Sequence, residues 1–383
     1  MKQRYDFDEI RPLYDEEVSE VMTSLVEEPT IANFIKYIAP ELPVEDVKKQ
    51  MLSFKTKQDF QTKMVAPFLH KLAAKTTKSL ELTGDEDLRP QDSYTFISNH
   101  RDIILDAAFL NILLYSKGRE TAEVAIGDNL LVYPWISDLV RMNKSFIVKR
   151  DMPVRQLLSA SRLLSTYIHF AIKIKNQSVW ISQREGRSKD STDRTQEGLI
   201  KMLAMGGVRE IRQSIRSLNL APVSISYEYD PCDYLKAKEF QLKRDNPEYK
   251  KTQADDLKNM ETGLLGYKGL VHFHISGKFL EKIDAIPADV DKNAIVGEIA
   301  RCIDNEIHRN MKLFPGNYVA YDMLNNTSKY ESKYSAEEKA TFEKYLAGQI
   351  AKVDIDNRDD AFITNKILTM YANTVVNYEN ATV

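Results

Sequence analysis

The segment Ser98-Asn99-His100-Arg101-Asp102-Ile103-Ile104-Leu105-Asp106 places a lone histidine and two aspartates where an apolar strand gives way to an apolar helix. An imidazole titrates near neutrality and can take a proton from a hydroxyl. A carboxylate within hydrogen-bond reach fixes its tautomer and stabilises its charged form. The segment therefore reads as a general base, His100, with an acidic orienter. The same residue types also serve plainer ends, because a histidine at a strand terminus can satisfy local backbone groups and an aspartate after it can cap a helix.

The flanking elements decide whether that geometry can exist. Tyr94-Thr95-Phe96-Ile97 alternates like a short strand and Ala107 to Tyr115 reads as a buried helix, so His100 emerges at a strand's carboxyl end. In open α/β sheets that is the ligand-binding edge. Short apolar strands recur near 94–98, 122–126, 145–149, 178–182, 221–226 and 270–275, with helices near 104–116, 155–174, 195–205 and 234–259 between them. This rhythm predicts an α/β fold with a mainly parallel sheet flanked by helices. Residues 10 to 80 lack strand alternation, and Leu80 to Pro90 reads as a polar linker. The chain thus divides into a helical N-terminal domain (1–88), an α/β domain (89–285) and a helical C-terminal extension (286–383). Tyr234 to Lys258, dense in Lys, Asp and Glu, reads as a solvated rim helix.

Three further blocks end strands of this series. Ser145-Phe146-Ile147-Val148-Lys149-Arg150 closes on two adjacent cations, a point charge and a planar fork suited to a phosphate or carboxylate. In Val179-Trp180-Ile181-Ser182-Gln183-Arg184-Glu185-Gly186-Arg187-Ser188-Lys189-Asp190 a strand feeds a polar loop. There Gly186 permits close backbone approach, Arg187 can hold a phosphate and Ser188 adds a donor. Leu220 to Glu228 is a strand whose Pro222 is expected at an edge or in first position. Solvated charge would explain either of the first two blocks taken singly.

Taken in order, the four blocks resemble the glycerolipid acyltransferase superfamily, and its glycerol-3-phosphate and dihydroxyacetone-phosphate branch more than the shorter lysophosphatidate enzymes. The resemblance rests on Asn99-His100-Arg101 to Asp106, Phe146-Ile147-Val148-Lys149-Arg150, Glu185-Gly186-Arg187-Ser188, and the Pro222 strand followed by Gly269 to Gly277. It covers roughly residues 90 to 280. It implies transfer of a fatty acyl group from an acyl thioester, on coenzyme A or acyl carrier protein as co-substrate, to a hydroxyl of glycerol 3-phosphate or a related phosphate-bearing acceptor. His100 would be the base and Asp106 its orienter. Lys149, Arg150, Arg187 and Ser188 would hold the phosphate, with Arg101, Glu185, Gly186 and Pro222 in support. A lysophospholipid or an amino-acid-based lipid is the alternative acceptor, and a non-catalytic lipid-binding protein is the alternative from another class.

Two spacings depart from the family. Five residues, not four, separate His100 from Asp106, and Gly186 and Arg187 are adjacent where the family has one residue between them. On a regular helix one extra residue turns a side chain by about 100°. Either a loose first turn absorbs it, with Asp102 as the helix cap, or Asp102 replaces Asp106 as the orienter.

Composition narrows the partners. A net charge of −3 over 383 residues gives no global basic field, so nucleic acid is not expected as a partner. Cys232 and Cys302 match no disulfide or metal spacing, and neither a metal nor a resident cofactor is expected. The first residues lack a signal peptide's apolar core, and no window of about 18 residues is continuously apolar. The resemblance, through the lipid products it implies, gives a cytoplasmic location peripheral to the inner face of a membrane as the expectation. Val65 to Leu80, with Lys63, Lys71, Lys75 and Lys78, and Ala361 to Val376 are the candidate membrane-contacting segments.

Overall fold

A computed structural model describes residues 6–150, 152–291 and 294–382. Seven strands, β1 (Thr77–Thr83), β2 (Thr95–Ser98), β3 (Glu123–Gly127), β4 (Ser145–Val148), β5 (Val179–Ser182), β6 (Leu220–Tyr227) and β7 (Gly269–Ile275), form one sheet in the order β1-β7-β6-β2-β5-β3-β4. β6, β2, β5, β3 and β4 run parallel, while β7 is antiparallel to β6 and parallel to β1. The short central strands are buried on both faces, as parallel strands are when crossover helices cover the sheet. Alternate residues feed two cores. Phe96 joins Trp180, Ala221 and Phe273 on one face, and Ile97 joins Phe146, Ile168 and Ile303 on the other.

Sequence and structure differ at three elements. Thr77–Thr83, read as the end of a helix and the start of a linker, is an edge strand. Its exposed Lys78 and Glu81 and its half-buried Leu80 follow the two-sided pattern of an edge, not the continuous apolar run of the inner strands. Pro222 lies inside β6, a central strand, and not at an edge. Its carbonyl accepts from Ser276 N–H, so the missing N–H also faces β7, where the ladder ends at Val223 opposite Ile275. Pairing with β2 loses nothing. The expected rim helix is two helices, Asp233–Asp245 and Gln253–Leu265, parted at Asn246-Pro247, and the first buries Asp233, Lys236, Glu239 and Gln241.

Helices 18–27, 31–38 and 44–52 enclose a core of Met22, Leu25, Ile31 and Phe54 that continues onto Met142 of the helix Pro134–Met142. Helices 315–325, 336–351 and 360–382 pack Val319, Phe342, Ile363 and Ile367 against Ala237. Both segments picked for membrane contact are packed: Leu69 and Leu72 enter the sheet core, and Ile363, Ile367, Leu368 and Met370 enter the C-terminal one. Among the described residues no helix is long and apolar enough to cross a membrane.

One face of β1, β7 and β6 is polar. His272 Nε2 and His274 Nδ1 both meet Thr83 Oγ1, at 3.1 and 2.9 Å, beside Ser224, Ser226, Glu81 and Lys312. Burial, reinforced by the charges of Lys312 and His274, pushes the His272 imidazole down to about 4, against the weaker opposing pull of Glu81. The unfolded chain takes up this proton at higher pH than the folded one, so stability is full above pH ~6.5 and falls as the pH drops toward 4. Urea midpoints measured from pH 7 to 4 should show this loss, and His272→Gln should flatten it.

Candidate active site

Because β2, β3, β4, β5 and β6 run parallel, the residues that follow them gather at one edge of the sheet. His100 follows β2, Asp128 follows β3, Arg150 follows β4, Arg184 to Arg187 follow β5, and Tyr227 ends β6. There a cavity of about 930 Å³ opens, lined by His100, Trp180, Arg150, Arg184, Glu185, Gly186 and Arg187. Its other arm is apolar, with Val65 and Phe68 from the N-terminal helices and Ala108, Ile112, Ile136 and Leu139 from the sheet's own helices.

His100 Nδ1 lies 2.8 Å from Asp106 Oδ2. Asp106 is fully buried, and the same oxygen accepts the N–H groups of Arg101 at 2.6 Å and Asp102 at 3.0 Å, while Oδ1 accepts the Tyr227 hydroxyl at 3.3 Å. A carboxylate so surrounded takes the Nδ1 proton as donor and leaves Nε2 as the basic nitrogen. The extra residue is absorbed before the helix begins: Leu105–Ser116 is the helical stretch, and residues 101–104 form a turn. Asp102 caps that turn, its Oδ1 accepting from Ile104 N–H at 2.9 Å and Leu105 N–H at 2.7 Å. Burial, and then the neighbouring Asp106, push the Asp102 carboxyl above the usual range. Its other oxygen abuts Gly263, where an added Cβ would stand 2.0 Å away, so the helix Gln253–Leu265 must carry no side chain at that point. Trp180 stands edge-on to the imidazole with ring centroids 6.0 Å apart, and its Nε1 donates to Ser98 Oγ at 3.1 Å.

The cations divide. Arg187 Nη2 donates to Asn259 Oδ1 at 2.8 Å, while its buried Nη1 and the buried Nε of Arg184 have no protein partner. Burial works against the Arg187 charge, but Cys232, Asp102 and Asp230 outweigh it and hold the guanidinium above its ordinary range. Gly186 takes φ +68°, which an L side chain rarely adopts, and so turns the loop into Arg187. Arg150 pairs with Glu185, and its N–H donates to Asp128 Oδ1 at 3.0 Å. Lys149, next in sequence, is not among the residues lining the cavity. Ser188 is not either: fully buried, its Oγ donates to Asp190 Oδ1 at 3.2 Å inside the loop. Pro222 is sheet scaffold. Arg184 belongs to a block the sequence singled out but sits in what read as solvated charge. Tyr227 and Asn259 carried no sequence signal, since their contacts with the site cross 121 and 72 residues.

Arg101 points away from the cavity into a buried pair. Its guanidinium donates to Asp193 Oδ1 and Oδ2 at 3.1 and 2.6 Å and to Ser191 Oγ at 3.0 Å. Removing one partner of a buried pair strands the other, at a cost of about 3–5 kcal/mol. Asp193→Ala should lower the urea-unfolding free energy by about that amount, whereas a surface pair such as Lys201–Glu197, mutated as control, should change it by less than about 1 kcal/mol.

Residues 79–225 match the family model described as Acyltransferase. Comparison with curated protein sequences returns no match. Among solved structures the chain is similar to the 1-acyl-sn-glycerophosphate (LPA) acyltransferase PlsC from Thermotoga maritima, at 11% identity and a TM-score of 0.36 over 76% of this chain and 94% of that one. The segment similar to that family contains the His100–Asp106 pair, the Arg150 block, the Glu185-Gly186-Arg187 block and most of β6.

Proposed function

We propose that the enzyme moves a fatty acyl group from a thioester, on coenzyme A or acyl carrier protein, to a hydroxyl of glycerol 3-phosphate or a related phosphate-bearing acceptor. The observation that carries this reading is the oriented imidazole, Nδ1 on Asp106 at 2.8 Å, in one cavity with Arg150, Arg184 and Arg187. Guanidinium groups suit a phosphate, and an imidazole suits a hydroxyl.

His100 Nε2 takes the hydroxyl proton as the oxygen attacks the thioester carbonyl carbon. The tetrahedral intermediate then collapses, the C–S bond breaks, and the leaving thiolate recovers the proton from the imidazolium. Asp106 holds the ring and stabilises its charged form, and no covalent enzyme intermediate is needed. Arg187, with Arg184 and Arg150, anchors the phosphate so that the hydroxyl meets His100, an orientation effect of large kinetic weight. Lys149 and Ser188 are not among the residues lining the cavity and are given no part in holding the phosphate. The apolar arm accommodates an acyl chain. It equally suits an acceptor that already carries one, such as a lysophosphatidate, and that is the second reading. A cytoplasmic enzyme peripheral to the inner face of a membrane fits either, because the product is a lipid.

Release of free thiol from palmitoyl-coenzyme A and from an acylated carrier protein, with glycerol 3-phosphate, lysophosphatidate or unphosphorylated glycerol, tests the proposal. Turnover should require the phosphate. His100→Ala should lower kcat by about 10²–10⁴ with an unchanged circular dichroism spectrum, and wild-type turnover in that variant would reject the base. Arg187→Ala should raise the acceptor KM with little change in the donor KM, and an unchanged acceptor KM would remove its phosphate role.

A further inference from the structure

The loop from Gln183 to Gln196 carries both Arg184 and Arg187 and closes on itself. Gln196 N–H donates to the Gln183 carbonyl at 2.9 Å and Glu185 N–H to Gln196 Oε1 at 2.8 Å. Between these ends the backbone is strained: Ser191 and Asp193, neither of them glycine, take φ +57° and +46°. Such a conformation persists only where the surroundings over-determine it. Part of the restraint is internal, Asp190 Oδ1 accepting from Ser188 Oγ, Thr192 N–H and Thr192 Oγ1. Part comes from the helix Ile295–Arg309, where Asp304 accepts from Thr195 N–H and Oγ1 at 2.7 and 2.6 Å and His308 Nε2 meets the Asp193 carbonyl at 2.9 Å.

The buried Arg101 guanidinium holds the side chains of Ser191 and Asp193, and a further restraint, on the backbone carbonyls, comes from the C-terminal helix Asp360–Thr382. Asn373 Nδ2 donates to the Asp190 carbonyl at 2.8 Å, and Asn377 Nδ2 to the Ser191 carbonyl at 2.8 Å and the Thr192 carbonyl at 3.4 Å. Four residues apart, the two amides lie on one face of the helix. Between them they meet three consecutive peptide carbonyls at the strained bend.

Resting on the reading of Arg184 and Arg187 as phosphate ligands, we infer that Asn373 and Asn377 are positioning residues for the acceptor site. They hold the bend at 190–192 so that the other limb of the loop keeps its guanidiniums in the cavity. Neither residue touches the cavity, and both lie about 150 residues beyond the segment that carries the family's motifs. Without the amides the bend loses the donors to three of its carbonyls, those of Asp190, Ser191 and Thr192. Arg187 is then held from outside its loop by the bond to Asn259 and by the charges of Asp102 and Asp230.

The test is the full-length Asn373→Ala/Asn377→Ala variant, read by steady-state kinetics and by hydrogen exchange of the 184–195 amides. Exchange in that loop should accelerate by about tenfold while the sheet strands keep their protection. The acceptor KM should rise by about tenfold, with kcat changed less than about threefold and the donor KM unchanged. Asn377→Ala alone should give the same pattern at smaller size, and serves if the double variant does not fold. Unchanged loop exchange, or an unchanged acceptor KM in an active enzyme, overturns the inference, as does a fall in kcat with both KM values unmoved. Accelerated exchange together with a wild type that needs no phosphate on its acceptor sinks the acceptor reading alone and leaves the mechanical coupling standing.

Discussion

A carboxylate taken fully out of water is tolerated only when hydrogen bonds replace its hydration, and Asp106 has four of them: the imidazole of His100, two successive backbone N–H groups and the hydroxyl of Tyr227. Those donors come from the end of β2, the turn after it and the end of β6. The requirement to surround one charge therefore fixes the exit angle of the chain from β2, the start of the helix at Leu105 and the lateral approach of β6. Burial pushes the Tyr227 hydroxyl well above its ordinary range, so it stays protonated and remains a donor. Nothing in this shell is free to turn without exposing the charge to an unpaired neighbour.

The five-residue spacing between His100 and Asp106, one longer than in the family the sequence resembles, is accommodated by the same shell. Had the helix begun directly after His100, the added residue would have rotated Asp106 away from the ring. The turn at 101–104 removes that constraint, and Asp102, with its carboxylate on two N–H groups, stabilises the turn. The two aspartates have separate tasks that sequence spacing alone left interchangeable. What separates them is the placement of Gly263 against Asp102 and of Tyr227 against Asp106.

The inner strands were legible because burial on both faces demands continuous apolar runs such as Val179-Trp180-Ile181, and the helices between them because apolar residues recur with a helical period. β1 was not, since an edge strand satisfies neither pattern strongly. Pro222 misled because a rule about missing donors does not say on which side of the strand the donor is missing. In the site, His100, Arg150 and Arg187 were legible as polar residues closing apolar strands. Lys149 and Ser188 share that local context, and only the three-dimensional paths of the segments after β4 and β5 leave them out of the cavity lining. Asn259 and Tyr227 owe their places to contacts between distant parts of the chain, which no local pattern encodes.

The sheet order separates two kinds of unit. β1 lies at the sheet's outer edge and its neighbour is β7, Gly269–Ile275, yet the stretch that matches the family begins within β1 and stops at residue 225, before β7 is reached. Cut out on its own, the recognisable stretch would hold the chemistry but leave β1 with nothing to pair with and β6 with one bare side. Cooperativity is thus a property of the longer chain, and a chimera bounded by residues 79–225 would inherit the His100–Asp106 pair without the strand pairing that flanks it.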